Sequence, residues 1–119
     1  MNRAIQAHKA QITLIDEFIR EIQKVIQVVQ PDPKDDMGPH EIIKNCKEQK
    51  AYLERLISLL NNEDLDTYAN EVQDFPVNVL AEYDNDLNSG LMRELGRKYE
   101  NGLDVYTVYE KYIEPLMED

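Results

Sequence analysis

The sequence has one cysteine, no tryptophan and no long hydrophobic run among its 119 residues. A single cysteine, Cys46, cannot form a disulfide within the chain, so we expect no disulfide framework. No run approaches the roughly 18–20 apolar residues of a membrane span. No N-terminal stretch has the apolar core and small-residue cleavage site of a secretory signal. These absences predict a cytoplasmic protein that has no membrane partner.

Positive charge is scarce in the second half of the chain. Residues 1–60 carry nine Lys/Arg and nine Asp/Glu, so their formal charges cancel. Residues 61–119 carry four Lys/Arg and fifteen Asp/Glu, so this half accounts for the whole net charge of −11. No basic residue lies between Arg55 and Arg93. A field of one sign repels nucleic acid and anionic lipid and attracts partners of the opposite charge. The sequence therefore predicts no nucleic-acid partner and favours a basic protein as the partner.

The carboxylates of this basic-free interval are the candidate binding residues. We call them the acidic segment: Glu63, Asp64, Asp66, Glu71, Asp74, Glu82, Asp84 and Asp86. The competing interpretation is a solvated acidic surface with no dedicated partner, because exposed Asp and Glu are common in soluble proteins.

Apolar residues recur at helical spacing through residues 1–30. Alternating steps of three and four residues connect Ile5, His8, Ile12, Ile15, Ile19, Ile22, Ile26 and Val29. This spacing predicts a long helix with a buried seam and one polar seam position, His8. Phe18 and Val25 broaden the apolar stripe on one side. His8 is interpreted either as a hydrogen-bonded core residue or as a residue near solvent at a frayed helix end.

Prolines divide the first half of the chain. Pro31-Asp32-Pro33 predicts the end of the first helix and a loop over residues 31–38, because proline cannot continue the helical hydrogen-bond ladder. Pro39 suits the first position of a second helix over residues 39–61. Its apolar positions are predicted to be Ile43, Cys46, Leu53, Ile57 and Leu60, with Lys50 filling one slot and Ile42 and Leu56 flanking.

Residues 62–119 predict an acidic half made of several shorter helices. Asn61-Asn62 is the expected cap of the third helix and Asp104 the expected cap of the last. An alternative for the last segment is a hairpin, because Asn101-Gly102 suits a hairpin turn and Val105–Tyr109 is strand-like in composition. The apolar positions fit helical spacing better than alternation, so we favour the helix.

These patterns predict an all-α protein with a single domain over residues 1–119. We expect an antiparallel helical bundle of four to six helices, in which the two long N-terminal helices form a hairpin and the shorter C-terminal helices pack across it.

Two segments begin like metal sites and then lack essential ligands. The segment 84–95 starts with the alternating oxygen ligands of a calcium loop, but Ser89 stands where glycine is needed and Leu95 where the bidentate glutamate is needed. His40 and Glu41 start a zinc-protease helix, but Lys44 replaces the second histidine. We therefore expect no metal and no cofactor.

No phosphate-binding loop, nucleophile motif or convergent acid–base set is present, so we expect no enzyme and no catalytic residues. The leading hypothesis is a small acidic interaction protein (an adaptor, inhibitor or immunity-like protein) that binds a basic partner through its acidic C-terminal half. The alternative is a structural or assembly factor that forms a homo-oligomer through its Ile-rich first helix. A small carboxylate- or metal-dependent enzyme ranks third. Mass in solution would distinguish the first two hypotheses.

Overall fold

The computed structural model describes residues 1–29, 39–74 and 104–117. Within these segments the secondary structure is helical and contains no strand, which confirms the all-α prediction for them. Helix α1 covers Asn2–Val29, α2 covers Pro39–Asn61 and α3 covers Leu65–Gln73. No helix in the described ranges is long and apolar enough to cross a membrane.

The last helix, α4, combines two types of helical turn. It consists of an α-helical turn at Val105–Val108, a π-helical turn at Tyr109–Ile113 and an α-helical turn at Glu114–Met117. The predicted helix over Val105–Tyr109 is therefore confirmed and the hairpin alternative is wrong. Asp104 caps α4 as predicted, since its Oδ1 accepts from the backbone N–H of Tyr106 at 3.0 Å and of Thr107 at 3.2 Å.

The cap of α3 differs from the predicted Asn61-Asn62. Helix α2 ends in a Schellman motif, in which the Glu63 N–H donates to the Leu60 carbonyl and the Asp64 N–H donates to the Leu59 carbonyl. Glu63 has a φ of 58°, the left-handed conformation that this motif requires. The motif uses the two residues after Asn62, so the cap moves to Asp64, whose Oδ1 accepts from the Thr67 N–H at 3.3 Å.

The buried stripe of α1 is displaced from the predicted isoleucine seam. Its buried positions follow heptad spacing along Ala4, His8, Gln11, Ile15, Phe18, Ile22 and Val25, with Ile5 and Ile19 beside it. Ile12 and Ile26, which were expected in the seam, are only half-buried. The stripe is displaced towards Phe18 and Val25, which were predicted to flank the seam, and it includes Gln11, a polar residue that a count of apolar positions passes over; His8 is buried as the seam predicted.

Helix α2 shows the same displacement for the same reason. Its buried residues are Ile42, Cys46, Gln49, Leu53, Leu56 and Leu60. Ile43 and Ile57 are half-buried. Lys50, which was predicted to occupy one position of the stripe, lies at its edge, where the Lys50 ammonium pairs with the Asp16 carboxylate of α1 at 2.9 Å. The buried position is the neighbouring Gln49.

One core joins the four helices. Isoleucines and Phe18 of α1 pack with the leucines of α2, with Tyr68 and Val72 of α3, and with Val105 and Ile113 of α4. Cys46 lies in this core as predicted, and burial raises the pKa of its thiol to about 12. The loop predicted over residues 31–38, the segment 84–95 and Asn101-Gly102 lie outside the described residues.

Candidate functional site

Five residues of the acidic segment lie in the described part of the chain. Glu63 sits in the turn before α3, Asp64 caps that helix, Asp66 and Glu71 belong to it, and Asp74 follows it. All are exposed except Glu71, which is half-buried. The other three residues, Glu82, Asp84 and Asp86, lie outside the described residues.

Helix α3 separates apolar and acidic side chains onto different faces. Tyr68, Ala69 and Val72 are buried against the rest of the protein. Four carboxylates, Glu63, Asp64, Asp66 and Asp74, occupy exposed positions on the helix and its two flanks, and that of Glu71 is half-buried. A helix with one apolar stripe and a charged opposite face is the usual form of a surface helix. The carboxylates of the described part of the segment are thus presented to solvent by a helix that the core holds in place.

Two of these carboxylates have a clear role in local structure. Asp64 accepts the capping hydrogen bond from Thr67, an interaction that typically contributes about 1 kcal/mol. Glu71 pairs with Arg55 of α2, with its Oε1 at 2.8 Å from Nη2 and at 3.0 Å from Nε. The Arg55 side chain is more than half exposed, so this ion pair is expected to contribute less than about 1 kcal/mol.

Two others occupy positions that the local backbone does not favour. Asp74 is the C-cap of α3, where the negative end of the helix dipole repels a carboxylate. Glu63 adopts the left-handed conformation at φ 58°, which glycine and asparagine adopt at lower cost. Neither charge is therefore explained by the stability of the helices that it adjoins.

Beneath α3 lies a buried polar network, formed by His8, Gln11 and Tyr68. The His8 Nε2 is 2.7 Å from the Tyr68 hydroxyl and its Nδ1 is 2.8 Å from the Gln11 Oε1. The Gln11 Nε2 donates to the backbone carbonyl of Asp104 at 3.2 Å. His8 and Tyr68 are fully buried and Gln11 nearly so. The chain of hydrogen bonds therefore connects α1 to both α3 and the start of α4.

The bond directions in this network follow from Gln11. Since the Gln11 amide nitrogen donates to Asp104, its Oε1 is the atom that faces His8 and accepts from the Nδ1–H. The Nε2 of the neutral imidazole then accepts from the Tyr68 hydroxyl. Each side-chain group in the chain of bonds has a partner, as buried polar groups require.

Burial moves the pKa values of both ring groups away from the physiological range. Desolvation lowers the pKa of His8, partly opposed by its hydrogen bond to Gln11. Desolvation raises the pKa of Tyr68, with a smaller contribution from Tyr109. Both groups are therefore neutral at pH 7. The first interpretation of His8, a hydrogen-bonded core residue, is correct, and its burial makes a frayed end near solvent wrong.

No sequence pattern indicates Gln11 or Tyr68 as partners of His8. Gln11 is three positions after His8, a spacing that allows contact on a helix, but Tyr68 lies 60 residues further along the chain. Among the residues that the structure describes, no group of three or more His, Cys, Asp or Glu could hold a metal ion.

Comparisons of the chain with protein-family models, with curated proteins and with solved structures find no match.

Proposed function

We propose that this chain is a non-enzymatic, cytoplasmic interaction protein that binds a basic protein partner through its acidic C-terminal half. It would act as an adaptor, an inhibitor or an immunity-like protein. The contact surface would include the exposed carboxylates around α3 and the remaining residues of the acidic segment.

The observation that carries this proposal is the placement of acidic charge where local structure opposes it. Asp74 lies at the unfavourable end of the α3 dipole and Glu63 lies in a left-handed turn. Solubility alone does not require charges at these two positions, since the chain already carries a net charge of −11. A role in attracting a partner accounts for the charge and for its position.

Exposed charges of this kind act mainly on the rate of association. Electrostatic attraction reaches about 8–10 Å at physiological salt. Complementary charge accelerates encounter more than it strengthens the final complex. We therefore expect the acidic surface to guide a basic partner to α3, with the final affinity depending on contacts that form after encounter.

Reversing Asp66 and Asp74 to lysine tests this proposal with a small net effect on folding, because the helix dipole favours the carboxylate of Asp66 in the first turn of α3 and opposes that of Asp74 at its C-cap. Both side chains are exposed, whereas Asp64 is a helix cap and Glu71 an ion-pair partner. The matched control is Glu17→Lys with Glu54→Lys, two exposed positions on α1 and α2 that change the net charge by the same amount. We expect immobilised wild type and control to retain a basic protein from host extract, and D66K/D74K to lose it.

Mass spectrometry of the retained proteins provides the readout. A basic protein that is depleted at least about tenfold by D66K/D74K but not by the control supports the proposal. Equal retention by all three forms would contradict it, because binding would then not depend on charge around α3. Circular dichroism of both double variants checks that the helices are intact.

The finer architecture belongs to the same proposal. We infer that the whole chain forms a single domain, an antiparallel bundle of four to six helices whose first two helices make a hairpin. Two contacts support the hairpin. Lys50 of α2 meets Asp16 of α1. Tyr68 of α3, the helix that follows α2 after residues 62–64, meets His8 nearer the start of α1, so the end of α2 is directed towards the start of α1, as antiparallel neighbours require.

The alternative, self-association through the first helix, has less support. The isoleucines that would form the contact between copies include Ile15, Ile19 and Ile22, and these are buried within the chain. We expect sedimentation equilibrium to give the mass of one chain, 13.9 kDa, at micromolar to near-millimolar concentration. A dimer whose fraction grows with concentration would favour the alternative.

A further inference from the structure

The polar network under α3 has an unusual composition for a helical core, because its central group can take up a proton. His8 is fully buried. Its Nε2 contacts Tyr68 of α3, whereas its Nδ1 contacts Gln11 of its own helix α1, and Gln11 in turn donates to the Asp104 carbonyl at the start of α4. An apolar residue at this position would hold the same helices together without dependence on pH. The histidine makes the attachment of α3 depend on a group that takes up a proton in mildly acidic solution once it is exposed to water.

We propose that His8 is a pH-sensitive latch: in mildly acidic solution, proton uptake by His8 favours the state in which α3 is released from α1. Protonated imidazole donates from both nitrogens. The Gln11 oxygen can still accept, but the Tyr68 hydroxyl can no longer donate to Nε2 and must turn its proton towards another acceptor. The charge would also lie in a site closed to water, which is costly without a counter-ion.

The groups around the latch give the added charge no compensation. From α3, Tyr68 faces the imidazole, with ring centroids 5.8 Å apart. From α4, the Tyr109 ring lies 6.2 Å from the Tyr68 ring. The Asp104 carboxylate is bonded to the Tyr106 and Thr107 N–H groups and to the Thr107 hydroxyl.

Helix α2 also provides no carboxylate at this place. Its titratable side chains at the core or against it are Cys46, which is buried and neutral, and Tyr52. Lys50, at the edge, is paired with Asp16 of α1. Geometry and surroundings therefore agree with the lowered pKa of His8, whose largest cause is desolvation.

The direction of the pH effect follows from proton binding in the two states. The unfolded chain takes up a proton at His8 near pH 6.5, whereas the folded chain resists it to lower pH. The stabilisation by neutral His8 is complete above pH 6.5 and is lost as the pH falls below it. Between pH 7.5 and 5.5 the unfolding equilibrium constant should rise by up to about tenfold on account of this group.

Urea denaturation at several pH values from 5.5 to 7.5 tests the latch. His8 and His40 are the two histidines of the chain, so a His40→Gln background leaves His8 as the sole histidine. Adding His8→Gln keeps an amide near the position of Nε2 but removes the titration. Between pH 7.5 and 5.5, the folding equilibrium constant should fall for the His40→Gln variant. We expect this fall to be several-fold to tenfold larger than the fall for the double variant. Equal pH dependence would overturn the proposal.

Two further measurements keep the test decisive if the double variant folds poorly. In the His40→Gln protein, the NMR signals of the His8 ring should keep their neutral positions at pH 6; titration at or above pH 6.5 contradicts the latch. Hydrogen exchange, corrected for intrinsic rates, should show greater loss of protection in α3 than in α2 between pH 7.5 and 5.5. An equal loss in all helices would contradict a local release.

Because α3 carries part of the acidic segment, the latch would also weaken partner binding in acid, a consequence that rests on the proposed function. The stability and NMR experiments contain no partner. Failure of the latch would therefore leave the proposed function standing, and failure of the proposed function would leave the latch standing.

Discussion

Replacing Phe18 with alanine is expected to lower the free energy of unfolding by about 3–5 kcal/mol, the largest effect of any single change considered for this protein. Phe18 is almost fully buried in the common core of the four helices. Truncating its side chain removes the transfer free energy of the ring and leaves a cavity that close-packed neighbours fill only in part. Urea denaturation of the purified variant measures the change.

Ile26→Ala is the matched control for Phe18→Ala. Ile26 belongs to the seam predicted from apolar spacing, yet it is only half-buried, so its truncation should cost about 1–2 kcal/mol. A larger loss at Ile26 than at Phe18 would show that the isoleucine seam faces the core. The displaced stripe through Phe18 would then be wrong.

Replacing Tyr68 with phenylalanine is expected to cost about 1–3 kcal/mol, because it removes only the hydroxyl and leaves the buried His8 Nε2 without its donor. The ring remains to fill the core, so the loss reports the hydrogen bond rather than a cavity. Thermal or urea denaturation at pH 7.5, where His8 is neutral, is the measurement.

Tyr106→Phe provides the comparison for Tyr68→Phe. Tyr106 is exposed on α4, with 43% of its surface accessible, and removing an exposed hydroxyl usually changes stability by less than about 0.5 kcal/mol. If the two substitutions change the free energy of unfolding equally, the Tyr68–His8 hydrogen bond contributes no more to stability than an exposed tyrosine hydroxyl does.

The caps of the described helices depend on local chemistry, and one of two predicted caps is confirmed. The prolines predict that α1 ends before Pro31 and that α2 starts at Pro39; α1 is described to Val29 and α2 from Pro39, which are also the limits of the described residues there. Asp104 caps α4 as expected. The exception is the cap of α3, which is Asp64 and not the predicted Asn61-Asn62. The difference arises because Glu63 adopts a left-handed conformation, which is uncommon for a glutamate.

The centre of the core could not be predicted fully from apolar spacing, because Gln11 and Gln49 lie on the buried stripes of α1 and α2. Of the buried polar residues, only His8 was expected in the seam. Buried polar side chains need hydrogen-bond partners, and His8 and Gln11 of α1 find some of theirs on other elements. Those partners are long-range: Tyr68 and the carbonyl of Asp104 bond to α1 from distant parts of the chain. A sequence pattern reports local periodicity and contains no information about such partners.

The charge division was visible in the sequence, but the individual roles of the carboxylates were not. Asp64 acts as a cap and Glu71 pairs with Arg55, so both serve the fold. Asp66 and Asp74 are exposed and are the better probes of partner binding. This distinction needs the position of each residue relative to its helix, which depends on where α3 begins and ends.

The association rate constant of the captured basic partner tests the central claim most directly. We predict that D66K/D74K slows association at least about tenfold at low salt, and that the rate for wild type falls steeply with added salt whereas the rate for the variant does not. Glu17→Lys with Glu54→Lys should keep most of the wild-type rate and its salt dependence. An association rate that neither the reversal nor salt alters would contradict the claim that the acidic surface around α3 recruits the partner.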